Sequence, residues 1–187
     1  MTLSASSKNT LGMPLVGFGT YLMSPEQAEA AVAEALTAGF RHIDSSEGYN
    51  NEAGTGKALA ACGIPREELF ITTKVFPGYA SWGMPEKGHD EVIAACKKSL
   101  NELQLDYFDL YLIHMPSSKY VEQWKAMIEI KKQGLAKHIG VSNFEDTHIE
   151  ALIAAGLELP EANQMEFHPI CAQAKMMPYL EGKGIVP

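Results

Sequence analysis

Short apolar and β-branched runs alternate along the chain with amphipathic stretches of helical period. Alternation of this kind is typical of parallel βα units, in which each strand is followed by a helix. The apolar runs lie at 16–20, 41–44, 70–75, 108–114, 138–141 and 162–167. Because a helical stretch follows each run, the pattern predicts six βα units.

Local signals delimit the helices. Ser24-Pro25-Glu26-Gln27 combines an N-cap serine, a proline at the first helical position and a glutamine three residues after the cap. Together these mark a helix start, and this helix is predicted to run to Gly39. The later helices are predicted from about residue 51, at 86–103, at 120–133, from 145 and near 172–180.

The two ends of the chain carry shorter segments. Residues 3–16 have Gly12 and Pro14 near their middle and are predicted to form a hairpin, whereas Gly184–Pro187 resemble the start of a seventh strand. No stretch has the composition of a linker or a low-complexity tract. We therefore expect residues 1–187 to form a single domain.

Alternating βα units fit either an open doubly wound sheet or a closed barrel. The first turn, Gly17-Phe18-Gly19-Thr20, is not followed by the third glycine of a dinucleotide fingerprint, because Leu22 stands in its place. This favours a TIM-type (β/α)8 barrel. Since such barrels typically need ~250 residues, an incomplete barrel of about six units plus an N-terminal hairpin is expected.

Composition excludes several function classes. The formal net charge of −8 argues against a surface for nucleic acid or anionic membrane. The start MTLSASSK lacks the pattern of a signal peptide, and no run of 18 apolar residues occurs. Cys62, Cys96 and Cys171 lack metal-ligand spacing, so we expect reduced thiols, no bound metal and a cytoplasmic location.

Polar residues follow the predicted strands one after another. In a barrel, the carboxyl ends of the strands converge on the face that holds the active site. Singly, each of these residues has an ordinary structural interpretation, such as a turn residue, a strand-end charge or a hydrogen-bonded core histidine. The set consists of Asp44, Lys74, His114, Ser142, Asn143 and Gln164, with Tyr49 in the loop after Asp44.

Six segments carry a resemblance to a known family. In order they are GFGT at 17–20, HIDSSEGYNNE at 42–52, ITTKV at 71–75, LIHMP at 112–116, IGVSNF at 139–144 and NQMEFHP at 163–169. Their order and spacing are similar to the successive signatures of the aldo-keto reductases. The chain thus resembles roughly the first two-thirds of a member of that family.

The resemblance implies reduction of aldehydes or ketones to alcohols with NADPH, by a tetrad of Asp44, Tyr49, Lys74 and His114. Hydride transfer builds negative charge on the carbonyl oxygen, so a donor must bind and protonate that oxygen. Tyr49 fits this role. A free tyrosine has a pKa near ~10, and we expect Lys74, oriented by Asp44, to lower the pKa of Tyr49. A neutral His114 would orient the carbonyl.

The resemblance also implies the contacts of the cofactor and of a small-molecule carbonyl substrate. Ser142, Asn143 and Gln164 are expected to bind the nicotinamide carboxamide, which fixes the ring face that is presented. The other expected cofactor contacts are Gly19, Thr20, Tyr21 and Asp44. The expected pocket residues are Tyr21, Phe76, Trp82, His114 and Met115.

An incomplete barrel has further consequences. The phosphate contacts of such barrels usually follow strands seven and eight, so residues 1–187 alone are expected to show no saturable NADPH binding at micromolar concentration. Open sheet edges favour self-association, whereas a completed barrel is expected to be a monomer. Two other functions stay open, namely a non-catalytic binding or regulatory protein on the same scaffold and a Schiff-base aldolase that uses Lys74.

Overall fold

A computed structural model describes residues 7–187, which form one curled sheet with helices along its outer face. The strands are β1 Phe18–Gly19, β2 His42–Asp44, β3 Phe70–Val75, β4 Phe108–Ile113, β5 Ala136–Ser142 and β6 Asn163–Gln164. The helices are α1 Pro25–Thr37, α2 Glu52–Ala61, α3 His89–Leu103, α4 Tyr120–Lys132, α5 Asp146–Ala154 and α6 Met176–Lys183.

The strand order settles the choice between an open sheet and a barrel. Each strand pairs in parallel with the next one along the chain, from β1 to β6. A doubly wound sheet reverses its strand order at a switch point, whereas a barrel adds its strands in one direction. The prediction of an incomplete (β/α)8 barrel with six units is therefore confirmed.

The end of the chain begins a further strand. Ala162 and Val186 form a parallel bridge beside β6, and Asn163 N–H donates to the Val186 carbonyl at 2.9 Å. Val186 N–H in turn donates to the Glu161 carbonyl at 2.9 Å. The predicted start of a seventh strand at 184–187 is thus present in the pairing.

The two faces of the sheet belong to different clusters, because successive side chains of a strand point to opposite sides. In β3, Ile71 and Val75 join the main core between sheet and helices, whereas Phe70 joins a smaller cluster on the inner face. Leu11 and Met13 pack against this smaller cluster. The N-terminal turn therefore covers part of the inner face.

The N-terminal turn agrees with the predicted hairpin over the residues that are described. Lys8 and Pro14 form an antiparallel bridge, and Asn9 Oδ1 accepts from the N–H groups of Leu11 and Met13 at 3.0 and 3.1 Å. Residues 3–6 of the predicted hairpin lie outside the described residues. The bridge brings the chain directly to the start of β1.

Helix α1 begins at the predicted capping box. Gln27 N–H donates to Ser24 Oγ at 3.2 Å, and Ser24 N–H donates to Gln27 Oε1 at 2.8 Å. These two bonds satisfy N–H groups that a helix start otherwise leaves without a partner. The cap fixes the point at which the loop after β1 turns into α1.

Several predicted boundaries were wrong. The sixth strand was predicted over 162–167 but spans only Asn163–Gln164, because the chain turns back where His168 and Cys171 bond to each other. The following helix accordingly begins at Met176 rather than near 172. The helix predicted from 86 begins at His89, where the Glu91 carboxylate accepts from Gly88 N–H at 3.0 Å.

Helices α1 and α2 approach closely at Gly54. A Cβ there would lie 1.9 Å from the Pro25 carbonyl oxygen. We expect Gly54→Ala to lower the free energy of unfolding by ~1–3 kcal/mol, because the backbone of α1 must move. Gly182→Ala in α6 is the matched control, since its added Cβ meets nothing within 4 Å. Equal thermal midpoints for the two variants would contradict this close approach.

Candidate active site

The four predicted catalytic side chains meet at the carboxyl end of the sheet. Asp44 ends β2, Lys74 lies near the end of β3, and His114 follows β4 directly. Tyr49 ends a short 3-10 helix, Glu47–Tyr49, in the loop after β2. Since neighbouring parallel strands end at the same edge, residues that are 70 positions apart along the chain become neighbours.

A buried ion pair forms the floor of the site. Lys74 Nζ donates to Asp44 Oδ1 at 2.5 Å and to the Ser45 carbonyl at 2.9 Å. The Lys74 side chain is 1% exposed and that of Asp44 16%. Gln164 Nε2 donates to the other Asp44 oxygen at 2.9 Å. A buried ammonium requires such partners, so these contacts hold Lys74 in one orientation.

Tyr49 lies above this pair as a neutral phenol. Its ring centroid is 5.2 Å from Lys74 Nζ and 5.4 Å from the centroid of the His114 ring. Burial, followed by the negative charge of Asp44 and by the neighbouring Tyr21, raises the pKa of Tyr49 to about 12. Tyr49 therefore keeps its proton at neutral pH.

This result corrects the expectation that Lys74 lowers the pKa of Tyr49. Asp44 is bonded directly to Lys74 Nζ, so the carboxylate offsets much of the ammonium charge that the phenol experiences. Burial then acts against the phenolate with little opposition. Lys74 can therefore lower the pKa of Tyr49 only by the part of its charge that Asp44 does not offset.

His114 is also uncharged. Burial, and then the positive charge of Lys74, lower the pKa of His114 to about 4. Its Nδ1 lies 2.8 Å from Ser46 Oγ, and its ring also packs edge-on against Phe76 at 6.5 Å between centroids. A neutral His114 agrees with the sequence-based prediction and leaves one ring nitrogen with a proton and one without.

A cleft of about 740 Å³ opens above Tyr49 and His114. Its size and its mixture of aromatic and polar walls suit a small molecule. Tyr21 and Trp82 are 65% and 61% exposed and form its outer rim. The lining residues are Tyr21, Gly48, Tyr49, Phe76, Trp82, His114, Met115, Ser142, Asn143, Gln164, Met165 and Glu166. The structure thus places all five predicted pocket residues around one cleft.

The three predicted carboxamide contacts line the same cleft and are already bonded to one another. Ser142 Oγ donates to the Gln164 carbonyl at 3.0 Å, and Asn143 Nδ2 donates to the His114 carbonyl at 3.0 Å. Asn143 has a φ of 61°, a left-handed conformation that asparagine tolerates better than most residues. These bonds fix the polar wall of the cleft, which consists of Ser142, Asn143 and Gln164.

Three predicted cofactor contacts, Gly19, Thr20 and Asp44, are not among the residues that line the cleft. Thr20 is fully buried, its N–H donates to the Asp44 carbonyl at 3.0 Å, and its own carbonyl accepts from Asn51 Nδ2 at 2.7 Å. Gly19 ends β1 and is not among the lining residues. Thr20 therefore anchors the loop after β1 against β2, and both of its backbone polar groups are bonded within the protein.

Two side chains that the sequence reasoning gave no role hold the site together. Glu47 Oε2 accepts from Phe76 N–H at 3.0 Å and from Lys87 Nζ at 3.2 Å, which fixes the loop after β3. Ser46 Oγ accepts from Gly48 N–H at 3.1 Å and so caps the turn that carries Tyr49. Their only signal in the sequence is their place just before Tyr49.

Residues 7–187 contain neither a candidate metal cluster nor a candidate membrane span. Within that range, no group of three or more histidine, cysteine, aspartate or glutamate side chains is arranged to hold a metal ion. None of the helices described there is both long and apolar enough to cross a membrane.

Comparison with known proteins adds to this geometry. The model of the aldo/keto reductase family matches residues 10–187. The chain belongs to the aldo-keto reductase family. It is 41% identical to an aldo-keto reductase of Mycolicibacterium smegmatis, over 99% of this chain and 63% of that protein. It is 45% identical to one of Mycobacterium avium, over 88% of this chain and 56% of that protein. This aldo-keto reductase chain therefore spans less than two thirds of these relatives.

Solved structures agree with the fold. An aldo/keto reductase of Brucella melitensis superimposes with a TM-score of 0.85 at 39% identity, over 92% of this chain and 66% of that one. The aldo-keto reductase of Bombyx mori, solved in complex with NADP, superimposes with a TM-score of 0.83 at 35% identity, over 92% of this chain and 61% of that one. The six-stranded arc thus has the curvature of the barrels in this family.

Proposed function

We propose that this aldo-keto reductase chain carries the catalytic site of an NADPH-dependent oxidoreductase that reduces aldehydes or ketones to alcohols. The observation that carries the proposal is the position of Tyr49 in the cleft, with its ring centroid 5.4 Å from that of His114 and 5.2 Å from Lys74 Nζ, which pairs with Asp44. Tyr49 is the proton donor, His114 orients the carbonyl, and Lys74 with Asp44 sets the charge beneath the phenol.

The chemistry follows from where charge develops. As the carbonyl is reduced, its oxygen becomes an alkoxide, which is a stronger base than a phenolate, so proton transfer from Tyr49 becomes favourable at that moment. The phenolate left behind lies near Lys74 Nζ, 5.2 Å from the ring centroid. The ammonium therefore acts most strongly after charge has moved to Tyr49, which is the form of stabilisation that accelerates a reaction.

The polar wall fits the carboxamide of a nicotinamide. Asn143 and Gln164 use their amide N–H groups on His114 and Asp44, and no described residue donates a hydrogen bond to either side-chain amide oxygen. Those oxygens can accept from the carboxamide N–H2 group. When bound, the reduced nicotinamide supplies the hydride. The preference for NADPH rests on the family, of which the Bombyx mori member is solved with NADP.

The structure weighs against the Schiff-base aldolase. Such an enzyme needs a lysine amine that is accessible and free to attack a carbonyl. Lys74 Nζ is instead buried and bonded to Asp44 and to the Ser45 carbonyl. A non-catalytic binding protein would have no need for this arrangement beneath an open cleft, and the intact tetrad favours the enzyme over that alternative.

Cofactor binding tests the proposal. We compare residues 1–187 with a chain extended through two further βα units, and titrate each with NADPH and NADH while nicotinamide fluorescence is recorded. The extended chain should bind NADPH saturably at micromolar concentration, because phosphate contacts of such barrels follow strands seven and eight. Residues 1–187 should bind NADPH at least about 100-fold more weakly, because the loss of two charge-assisted phosphate contacts has an effect of that size. Equal, tight binding by both would refute this account of the cofactor site.

A further inference from the structure

Ser46 makes a buried contact with His114 that the mechanism above does not use. Its side chain is fully buried, and its Oγ lies 2.8 Å from His114 Nδ1. Two backbone groups also lie near this oxygen, namely Gly48 N–H at 3.1 Å and the Lys74 carbonyl at 3.3 Å. Ser46 therefore links the turn that carries Tyr49 to the catalytic histidine.

The Ser46 hydroxyl has two candidate acceptors for its single proton, and the distances favour His114 Nδ1 over the Lys74 carbonyl. Gly48 N–H is a donor, so it occupies a lone pair of Oγ and leaves two acceptors for the proton, His114 Nδ1 and the Lys74 carbonyl. Hydroxyl donors normally lie about 2.5–3.0 Å from their acceptors. The 2.8 Å contact with Nδ1 is within that range and the 3.3 Å contact with the carbonyl is outside it.

We propose that Ser46 is a positioning residue that sets the tautomer of His114. Its hydroxyl donates to Nδ1, so the one proton of the neutral ring lies on Nε2. Since Nδ1 is turned toward buried Ser46 and the ring lines the cleft, Nε2–H is the donor available to a bound carbonyl. The role of this tautomer toward a carbonyl substrate rests on the proposed function, whereas the tautomer itself does not.

The tautomer matters because a neutral imidazole has one N–H and one lone pair. With the proton on Nε2, the ring donates to the carbonyl oxygen as negative charge develops there. With the proton on Nδ1, the ring would present a lone pair to that oxygen and repel it. Ser46 thus selects the form of His114 that can orient a substrate.

Nitrogen-detected NMR of the purified protein with labelled histidine tests the inference. We expect the parent His114 to be protonated on Nε2, and Ser46→Ala to populate the Nδ1-protonated form. Ser99→Ala is the matched control. Ser99 lies in α3, and its buried hydroxyl donates to Glu52 at 2.8 Å rather than to His114. This variant should leave the His114 signals unchanged. A parent ring protonated on Nδ1, or an unchanged tautomer in Ser46→Ala, would overturn the inference.

Kinetics give a second readout. Ser46→Ala should lower kcat roughly 3- to 10-fold, which corresponds to the loss of one hydrogen bond. The KM for the cofactor should not change, because Ser46 contacts His114 and not the polar wall. Loss of the turn cap alone would not move the tautomer. If no carbonyl is reduced by the parent, the proposed function fails, while the NMR measurement still decides the role of Ser46.

Discussion

Tyr49→Phe is expected to reduce the kcat for carbonyl reduction by ~10²–10⁴-fold, the effect of a positioned general acid. The substitution keeps the ring that packs against His114 and Tyr21, at 5.4 and 5.0 Å between centroids, and removes only the proton donor. Cofactor affinity should therefore change little, because the polar wall of Ser142, Asn143 and Gln164 is untouched. The measurement is the steady-state rate of NADPH oxidation with an aldehyde, in the chain extended through two further βα units.

Tyr179→Phe is the matched control for the loss of a phenol hydroxyl. Tyr179 lies on α6, where its hydroxyl donates to Glu150 at 2.8 Å at the protein surface. This variant should retain the parent rate. Turnover of Tyr49→Phe within threefold of the parent would eliminate Tyr49 as the acid.

Lys74→Met is expected to have the other large effect. Without the ammonium, the charge of Asp44 acts unopposed on the phenol, so the phenolate that follows proton transfer becomes less stable and the rate should fall by roughly 10²-fold or more. Since Asp44 raises the pKa of Tyr49 already, removal of Lys74 should raise the pKa of Tyr49 further. The limb of the pH–rate profile on which Tyr49 loses its proton should move to higher pH.

The same change should destabilise the fold. Removal of one partner from a buried ion pair costs ~3–5 kcal/mol, and the lower end applies here because Asp44 is 16% exposed and keeps its bond from Gln164. Lys97→Met on the exposed face of α3 is the control and should change neither property. A normal rate with an unchanged pH profile for Lys74→Met would contradict the assigned role of Lys74.

The sequence predicted the parts of the fold that follow from periodicity. Alternation in β3 separates Ile71 and Val75 from Phe70, and the same alternation places Lys74 on the inner face with Phe70. Strand and helix order, the cap at Ser24 and the start of a seventh strand also follow from local patterns. The short sixth strand was not predicted, although Pro169 lies in the turn between His168 and Cys171 and proline favours such turns.

The sequence predicted the site in outline, and the points at which the structure differs from that prediction have physical causes. Thr20 is buried rather than at the cleft, because Asn51 and Asp44 take up its backbone groups, and its expected contact with the cofactor stays a prediction. The pKa of Tyr49 depends on its burial and on the charge of the nearby Asp44. Neither quantity can be obtained from spacing along a chain.

The position of Ser46 shows the same limit. Its place in the HIDSSEGYNNE segment gives no indication that its hydroxyl meets His114, which lies 68 positions further along the chain. That contact exists because β2 and β4 both flank β3 and end at the same edge of the sheet. A positioning role of this kind therefore emerges from topology rather than from a motif.

Transfer of label from the cofactor tests the central claim most directly. The extended chain is incubated with an aldehyde and NADPH that carries deuterium on both positions of the reactive nicotinamide carbon, and the product is analysed by mass spectrometry. The account predicts an alcohol with one deuterium on the former carbonyl carbon, formed by the parent and nearly absent with Tyr49→Phe. Absence of labelled alcohol from the parent, with the cofactor bound, would contradict it.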